Sequence, residues 1–560
     1  MCNKFVSHVN LPADTLSEST LDALLTDQAV IHPNQLCVVD ISNKISFTYS
    51  EFEDYTTRIA ANLIDWGVKP GMHIGLYAEN SANWIAIMFA SSKINCVLVP
   101  INTNYKQLEL GNVLEHADID ILFISDGIGS NCFTKVIEHL CPELLQNQVT
   151  GFRAFPKLKS IVYIGHRETP EGMIPWKKFL KQPSADNLNK IKEYIPASSD
   201  VLAQIQYTSG TTGVPKGVMI SHRAIVNVGI VSGKKRRLGI MDRECIPIPF
   251  FHCFAISVGI VACIAHGSTI VAIDKFDAGK VIRAIHQKRC TSLLGVPTML
   301  IKMLEHPDFD RYNYTSLRTG IVGGAPCPLP LARDIANRLH MRDFVIGLGM
   351  TETAGLETMT EISIPFERRI TLVGISLPAV DNKLVNPESG VVVKPGDIGE
   401  ICTRGYHVMM GYYKNPELTR QIIDEKGWLH TGDLCRQEPD GNYMLIGRIK
   451  DMIDHGGEKI YAKDLEKFIM SLGGFLDVQV VGIESDKYGE DIAVFCIMKP
   501  DANWTESAIQ NAVKKQLPCY MIPKVVYFIN QMPLTATGKV QKFVLKDMAE
   551  AAQRNSSQGK

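Results

Sequence analysis

The sequence predicts an α/β protein whose sheets are mostly parallel. From about Ser50 onward, apolar runs of strand length alternate with segments of helix length, and this alternation is typical of strand–helix–strand units. The chain has 560 residues, which exceeds what one hydrophobic core usually supports, so we expect two or more domains. The predicted architecture is a large N-terminal domain, made of two α/β subdomains and a β-rich subdomain, followed by a small α+β C-terminal domain.

The first α/β subdomain is predicted from four apolar runs in the first third of the chain. Each run has the length of a strand, and longer segments with helical spacing lie between them. Strands are predicted at residues 73–77, 97–101, 119–124 and 159–164, and helices at residues 49–66 and 81–94.

A second α/β subdomain is predicted after a glycine-rich loop near residue 210. Residues 268–273 are predicted to form a strand, residues 278–287 a helix, and a further strand ends at Val296. Around residues 399–411 the sequence becomes rich in glycine and turn signals, which predicts the β-rich subdomain. We place the main boundary at Arg448, with an N-terminal domain over residues 1–447, a C-terminal domain over 448–550 and a disordered polar tail over 551–560.

The composition is that of an ordinary globular protein and narrows the function. The 58 basic and 59 acidic side chains give a net charge of -1, which argues against nucleic acid as the main partner. The 14 cysteines form no C-x-x-C pair, the N-terminus lacks a signal peptide, and no apolar stretch approaches the length of a membrane span, so a cytoplasmic location is expected. Peripheral membrane contact stays open. The basic cluster at residues 234–237 is predicted to be a solvated turn rather than a contact for an anionic carrier or membrane.

A loop rich in hydroxyls and glycines is the most informative motif. Residues 205–217 read I-Q-Y-T-S-G-T-T-G-V-P-K-G and precede a predicted helix start at Ser221. Hydroxyl groups and exposed backbone N–H groups bind phosphate oxygens, and a lysine adds positive charge. The sequence therefore predicts a polyphosphate-binding loop between a strand and a helix, with ligands from Thr208, Ser209, Gly210, Thr211, Thr212 and Lys216. The Walker A pattern G-x-x-x-x-G-K-[ST] does not occur, which excludes a P-loop NTPase.

Six further segments carry residues suited to nucleotide chemistry. Each has an ordinary explanation when taken alone: a core histidine, a plain turn or a solvated lysine. The segments are F-F-H-C-F at 250–254, G-G-A-P at 323–326, G-L-G-M-T-E at 347–352, G-W-L-H-T-G-D at 427–433, G-R-I-K-D at 447–451 and P-L-T-A-T-G-K at 533–539.

Taken together, these motifs resemble the adenylate-forming superfamily of acyl-CoA synthetases, nonribosomal-peptide adenylation domains and beetle luciferases. The resemblance covers about residues 30–545, and T-S-G-T-T-G-V-P-K-G, G-W-L-H-T-G-D, G-R-I-K-D-M-I and the closing T-G-K carry it. It implies two half-reactions. A carboxylate first attacks the α-phosphate of ATP and releases pyrophosphate, and a thiol such as that of coenzyme A then attacks the acyl-adenylate and releases AMP.

The resemblance also implies a role for each motif residue. The loop at 208–217 would hold the β- and γ-phosphates, while Thr351 contacts the α-phosphate and Glu352 holds Mg²⁺. Lys539 would lie between the substrate carboxylate and the α-phosphate, where its charge offsets the repulsion of two anions. The nucleoside contacts implied by the resemblance are Gly324, Ala325 and Gly347 for adenine, and Asp433 and Arg448 for ribose.

The second half-reaction implies a mobile C-terminal domain. Lys450 matches the hinge about which this domain rotates, which brings the loop with Gly456 and Gly457 towards the site. By the same resemblance His252 gates the passage between the acyl pocket and the thiol tunnel, and Lys275 contacts the coenzyme A nucleotide, although a solvated lysine explains Lys275 almost as well. Leu348 stands where the family usually carries an aromatic residue that stacks on adenine, so weaker ATP binding is expected.

Among the activities of this family, an acyl-CoA ligase is predicted. The residues after His252 include no acidic side chain to bind a substrate ammonium, which argues against an amino-acid adenylation domain. Apolar neighbours favour a fatty or aryl acid, and the cofactor and co-substrates are Mg²⁺, ATP and coenzyme A. Two alternatives stay open: an acyl-AMP ligase that loads an acyl carrier protein, and a binding module without catalysis. The apolar pocket is predicted from Phe251, Phe254, Ile256, Val258, Ile321, Val322 and Met350.

Overall fold

The chain forms two compact units in a computed structural model. The structure describes residues 7–8, 16–129, 131–146, 151–194, 198–208, 215–325, 327–456, 458–485, 487–535 and 539–558. The larger unit contains Ser7–Asp381 and Thr403–Leu429, and the smaller unit contains Asn382–Cys402 and His430–Lys560. None of the helices in the described ranges combines the length and apolarity needed to cross a bilayer.

The first sheet of the larger unit has eight strands. Its first six strands are parallel, and the last two run antiparallel to their neighbours. Buried side chains on both faces explain why these strands are nearly continuous apolar runs in the sequence. In sheet order the strands are Ile174–Pro175, Ser160–Tyr163, Ile119–Ile124, His73–Tyr77, Val97–Pro100, Leu202–Thr208, Lys216–Ser221 and Gly411–Tyr412.

The second sheet of the larger unit has nine strands. Six strands from Asp343–Leu348 to Leu36–Asp40 are parallel, and antiparallel strands close both edges. In sheet order the strands are Ile375–Ser376, Thr358–Met359, Asp343–Leu348, Thr319–Val322, Ser292–Gly295, Arg243–Ile246, Thr269–Ala272, Leu36–Asp40 and Ile45–Thr48. The predicted α/β fold with mostly parallel sheets is therefore confirmed.

Several helices of the larger unit begin at side chains that cap them. Thr48 and Glu51 form a reciprocal capping box at the start of Tyr49–Asp65, and Ser221 accepts a hydrogen bond from Ala224 N at the start of His222–Lys235. The α-helices are Leu21–Ile31, Tyr49–Asp65, Ala82–Lys93, Gln107–His116, Phe133–Leu140, Trp176–Phe179, Ala185–Glu193, His222–Lys235, Ala262–Ala265, Ala278–Lys288, Pro297–Leu304, Leu329–Arg338, Phe366–Arg369 and Pro416–Ile422. Phe254–Val261 is a π-helix, and short 3₁₀ turns lie at Pro142–Leu145, Phe309–Arg311 and Thr351–Thr353.

Two sheets run through the smaller unit. Strands Val380–Val385, Ile398–Gly405, Leu429–Gln437 and Tyr443–Arg448 lie side by side in that order. In the second sheet Glu458–Tyr461, Met452–His455, Gly489–Met498 and Phe475–Ser485 lie in order, and Val525–Phe528 pairs with Gly489–Met498. Its helices are Ala462–Ser471, Glu506–Gln516 and Lys542–Gln558, with 3₁₀ turns at Ile449–Asp451 and Cys519–Met521. Of the remaining short strands, Ser7–His8 lies at the edge of the first of these sheets beside Val380–Val385, and Gly127–Ile128 pairs with Asn131–Cys132.

The phosphate-loop motif connects two strands, whereas the sequence predicts a strand-to-helix connection. Leu202–Thr208 and Lys216–Ser221 pair as an antiparallel hairpin, with Thr208 opposite Lys216. The second strand forms because Val218 and Ile220 alternate inward and are fully buried. The helix therefore begins six residues after Lys216, at His222.

The basic cluster at residues 234–237 is only in part the predicted solvated turn, because Lys234 and Arg237 are exposed whereas Lys235 and Arg236 are not. Arg236 is fully buried and forms an ion pair with Glu244, which is also fully buried. Lys235 is 9% exposed in its side chain and pairs with Glu361. Burial of paired charges turns these groups away from any anionic surface.

In the described residues the chain ends in a helix that overlaps the predicted tail. The last helix extends from Lys542 to Gln558. Leu545 and Ala549 are fully buried and anchor its inner face, and the Ala-rich sequence that follows favours helix.

Candidate active site

The phosphate-binding motif lies at the hairpin between Leu202–Thr208 and Lys216–Ser221. Thr208 and Lys216 are opposite each other in the register, so both flank the loop that joins the strands. Ser209, Gly210, Thr211 and Thr212 lie outside the described residues, and their predicted phosphate contacts stay predictions.

Glu352 and Lys216 are linked through a tyrosine that the motif analysis did not single out. The hydroxyl of Tyr412 donates a hydrogen bond of 2.7 Å to Glu352 Oε1. Lys216 Nζ lies over the same ring, 5.5 Å from its centroid. Strand pairing brings these groups together, because Val218 is opposite Tyr412 in the register.

The environment of Glu352 fits a Mg²⁺ ligand. The residue is only 7% exposed, and within the described part of the chain its Oε2 takes part in no hydrogen bond. A buried carboxylate with one oxygen held and one oxygen available is a hard oxygen donor of the type that Mg²⁺ prefers.

His252 lies in a segment that a buried asparagine holds in place. Asn80 is 5% exposed, and its side-chain amide donates to Ile248 O at 2.8 Å and to Ile273 O at 2.9 Å. Its Oδ1 accepts a hydrogen bond from Phe250 N at 2.7 Å. One side chain thus fixes the strand end that leads to His252.

His252 and Thr351 both contact Cys253. Cys253 Sγ lies 3.7 Å from His252 Nδ1 and 3.8 Å from Thr351 Oγ1. His252 Nδ1 also accepts a hydrogen bond from Phe254 N at 3.2 Å, which fixes the ring orientation at the start of the π-helix. The structure therefore brings the predicted gate residue and the predicted α-phosphate ligand to the same place.

The predicted adenine contacts lie at the carboxyl ends of neighbouring parallel strands. Thr319–Val322 pairs with Asp343–Leu348, and both strands lead into glycine-containing turns at their carboxyl ends, where α/β proteins bind ligands. Gly324 has φ +80°, a backbone conformation in which a side chain would be strained, and Ala325 follows it. Pro326 lies outside the described residues.

Gly347 and part of the predicted acyl pocket are closely packed. A Cβ at Gly347 would lie 2.5 Å from Leu356 Cδ1, so a side chain there would require the end of the Leu356 side chain to shift. A Cβ at Gly323 would meet the Phe254 ring at 3.3 Å. Leu348 is 9% exposed, and the predicted pocket residues Ile256, Val258, Ile321 and Val322 are buried.

In the smaller unit, Asp433 and Arg448 form an ion pair. They are opposite each other in the strand register, and Arg448 Nε lies 2.9 Å from Asp433 Oδ1. Burial raises the pKa of the Asp433 carboxyl, and the charges of Arg448, Lys539 and Lys463 offset part of that rise. The predicted ribose ligands are thus together, and the charge of the predicted catalytic lysine acts on the Asp433 carboxylate.

The turn that carries Asp433 is braced by a neighbouring strand. Glu400 Oε1 accepts a hydrogen bond from Gly432 N at 2.9 Å, and Glu400 Oε2 lies 2.8 Å from His430 Nδ1. Thr431 Oγ1 donates to Ile401 O at 2.7 Å. Although Glu400, Cys402 and His430 place metal-ligand atoms within 4.8 Å of one another, both carboxylate oxygens already have partners inside the turn.

The remaining predicted residues lie on turns. Lys539 N donates to Thr535 Oγ1 at 3.0 Å, and residues 536–538 between them are not among those that the structure describes. Lys450 is exposed in the 3₁₀ turn Ile449–Asp451, and Gly456 has φ +64° in a hairpin turn; Gly457 is not described. Lys275 is exposed on the larger unit, and its predicted coenzyme A contact stays a prediction.

Comparison with known proteins identifies the fold first. The crystal structure of ATP-bound MatB from Rhodopseudomonas palustris is 25% identical and matches with a TM-score of 0.80 over 95% of this chain and 99% of that one. The fold is therefore that of the adenylate-forming enzymes.

Sequence comparison then identifies the family. The model of the AMP-binding enzyme family matches residues 25–413, and that of its C-terminal domain matches residues 464–539. A relative in Bacillus subtilis whose name describes it as the acyl-CoA synthetase YngI is 37% identical over 95% of this chain and 97% of its own length. Human mitochondrial medium-chain acyl-CoA ligase ACSF2 is 30% identical over 96% of this chain and 88% of its own length. The chain belongs to the AMP-binding enzyme family, which confirms the predicted class of AMP-forming acid–thiol ligase.

Proposed function

We propose that this protein is an ATP-dependent acyl-CoA ligase for an apolar carboxylic acid. It would activate the acid as an acyl-adenylate with release of pyrophosphate, and then transfer the acyl group to coenzyme A with release of AMP. The observation that carries the proposal is the ion pair between the buried Asp433 and Arg448, in which Arg448 Nε lies 2.9 Å from Asp433 Oδ1. A nucleotide held by its ribose at Asp433 would present its α-phosphate to a lysine.

The first half-reaction joins two anions, so its main requirement is charge neutralisation. Lys539 supplies a fixed positive charge for the carboxylate and the α-phosphate. Thr351 offers a hydroxyl to the α-phosphate, and Lys216 adds charge at the phosphate hairpin. Mg²⁺, held by Glu352 and the nucleotide, would neutralise phosphate charge.

The second half-reaction assigns roles to the segments around His252 and Lys450. His252 stands at the start of a buried apolar π-helix, so its ring is suited to separate an apolar acyl site from an entering thiol. Lys450 lies in the turn between the two sheets of the smaller unit, where a change in φ and ψ would reorient everything that follows. Lys275 and the loop at Gly456 would then contact coenzyme A.

A medium-chain fatty acid is the substrate that we propose first. The segments near His252 carry buried aliphatic and aromatic side chains. Each methylene group of an acid that is buried in such surroundings contributes about 0.8 kcal/mol to binding. The name of the relative ACSF2 gives the same substrate class. An aryl acid is the second candidate, since Phe254 against Gly323 offers a flat apolar surface.

The proposal is tested by measuring AMP release from ATP and Mg²⁺ with acetate, hexanoate, dodecanoate, palmitate and 4-coumarate. Each acid is supplied with coenzyme A, with a holo acyl carrier protein, or with neither. We expect AMP release that requires coenzyme A and is highest for hexanoate or dodecanoate. If AMP release requires the carrier protein and not coenzyme A, then the carrier protein is the thiol acceptor and the proposal is wrong on this point. ATP binding without turnover for any acid would favour a binding module and contradict the proposal.

A further inference from the structure

We propose that Tyr412 is a positioning residue that orients the carboxylate of Glu352 for the metal ion and couples it to Lys216. This inference rests on the proposed function, in which Glu352 holds Mg²⁺. Tyr412 belongs to none of the motifs from which the site was predicted.

The geometry around Tyr412 supports a fixed donor rather than a chance contact. The phenol hydroxyl donates to Glu352 Oε1 at 2.7 Å, and Tyr412 and Glu352 are 6% and 7% exposed. Water therefore competes little for either group, and hydrogen bonds to charged acceptors are stronger than neutral ones.

The backbone of the same segment holds both partners. Met409 N donates to Glu352 O at 2.9 Å. The segment that leads to Tyr412 therefore forms a hydrogen bond with the main chain of Glu352, and Tyr412 itself forms one with the side chain. Tyr412 N donates to Thr419 Oγ1 at 2.8 Å, and the register places Tyr412 opposite Val218. Tyr412 therefore has little freedom to move away from the carboxylate.

The ring of Tyr412 carries a second interaction. Lys216 Nζ lies 5.5 Å from the ring centroid, within the range of a cation–π contact. One side chain thus contacts the predicted phosphate lysine through its face and the predicted metal ligand through its hydroxyl. Removing only the hydroxyl separates the two contacts, because phenylalanine keeps the ring.

Direct metal binding provides the test. Full-length protein is saturated with a non-hydrolysable ATP analogue and titrated with Mn²⁺, whose unbound fraction is read from its electron paramagnetic resonance signal. We expect Tyr412→Phe to weaken Mn²⁺ binding by about tenfold, as is typical when a group that orients a metal ligand is removed. Binding of the analogue without metal is expected to stay within twofold of the wild type.

The neighbouring tyrosine offers a matched control. Tyr413 follows Tyr412 in the chain, and its hydroxyl donates to Asp118 Oδ2 at 2.9 Å. Tyr413→Phe therefore also removes a hydrogen bond from a tyrosine hydroxyl to a carboxylate, but it leaves Glu352 unchanged. We expect it to bind Mn²⁺ like the wild type. In a Glu352→Gln background, Tyr412→Phe should cause no further loss, because both changes act through one carboxylate.

Two outcomes separate this inference from the proposed function. If Glu352→Gln weakens Mn²⁺ binding and Tyr412→Phe does not, the positioning role is wrong and the metal assignment stands. If Glu352→Gln leaves Mn²⁺ binding unchanged, the metal assignment itself fails. If Tyr412→Phe does not fold, Glu352→Asp is used in its place, because it moves the carboxylate back by one methylene. The inference then requires Glu352→Asp to weaken Mn²⁺ binding by the same factor of about ten.

Discussion

Replacing Asp433 with asparagine is expected to weaken ATP binding while leaving the protein folded. Asp433 is 3% exposed, and its partner Arg448 is 44% exposed in its side chain. Asparagine keeps the shape and one acceptor oxygen but removes the negative charge. A ribose diol would therefore lose one hydrogen bond to a charged group and keep a weaker one.

The magnitude follows from these two environments. A hydrogen bond to a charged group contributes about 1.5 to 3 kcal/mol, which corresponds to a rise of roughly 10- to 100-fold in the KM for ATP. Folding should change by no more than about 1 kcal/mol, because the exposed guanidinium of Arg448 stays hydrated when its partner becomes neutral. The raised pKa of Asp433 also indicates that burial of its charge is unfavourable in the folded state.

The assay is ATP–pyrophosphate exchange at a saturating concentration of acid. Asp440→Asn is the matched control, since Asp440 lies at the exposed turn of the same strand pair and its Oδ1 accepts a hydrogen bond from Asn442 N. We expect normal kinetics from the control and a raised KM for ATP from Asp433→Asn. A folded Asp433→Asn variant whose KM for ATP lies within twofold of the wild type would refute the ribose assignment.

Three further predictions follow from the structure. Lys539→Ala should slow pyrophosphate exchange by ~10²- to 10³-fold yet spare thioester formation from supplied acyl-adenylate, and equal loss of both steps would contradict its assigned role. Asn80→Ala should lower the free energy of unfolding by about 3 kcal/mol in urea denaturation, because it leaves three buried backbone groups without their partner; a loss below about 1 kcal/mol would mean that those groups find others. Burial lowers the pKa of His222 from 6.5 to about 4. As the pH falls, the unfolded chain therefore binds a proton at this histidine before the folded chain does. The free energy of unfolding should fall by about 3 kcal/mol between pH 6.5 and pH 4. His222→Asn should lose less stability over that range, and an equal loss in thermal unfolding curves would assign the effect to other groups.

The strands of the large unit were predictable because their signal is local. The predicted strand at residues 119–124 has the bounds of Ile119–Ile124 in the structure, and the one at 97–101 differs by one residue. Apolar runs between helical segments need no partner to be recognised. The sequence did not predict the strand Lys216–Ser221, because this segment becomes a strand by pairing with Leu202–Thr208 and its own residues give little strand signal.

Contacts between distant segments explain what the motifs did not reveal in the site. Tyr412 is 60 residues from Glu352 in sequence and reaches it through strand pairing. Asn80 lies 168 residues before Ile248, whose carbonyl it holds. Arg236 sits in a run of four basic residues, and its burial depends on Glu244 rather than on the run. Sequence motifs identify residues that touch a ligand by their type, whereas positioning residues are identified by their partners.

The most direct test of acid–CoA ligation is the product balance of a single incubation. Purified protein receives ATP, Mg²⁺, coenzyme A and dodecanoate, and the nucleotides and thioester are quantified by mass spectrometry. The proposed function predicts equal amounts of AMP and dodecanoyl-CoA, with no product when either thiol or acid is omitted. ADP in place of AMP, or acyl-adenylate that accumulates without forming the thioester, would contradict it.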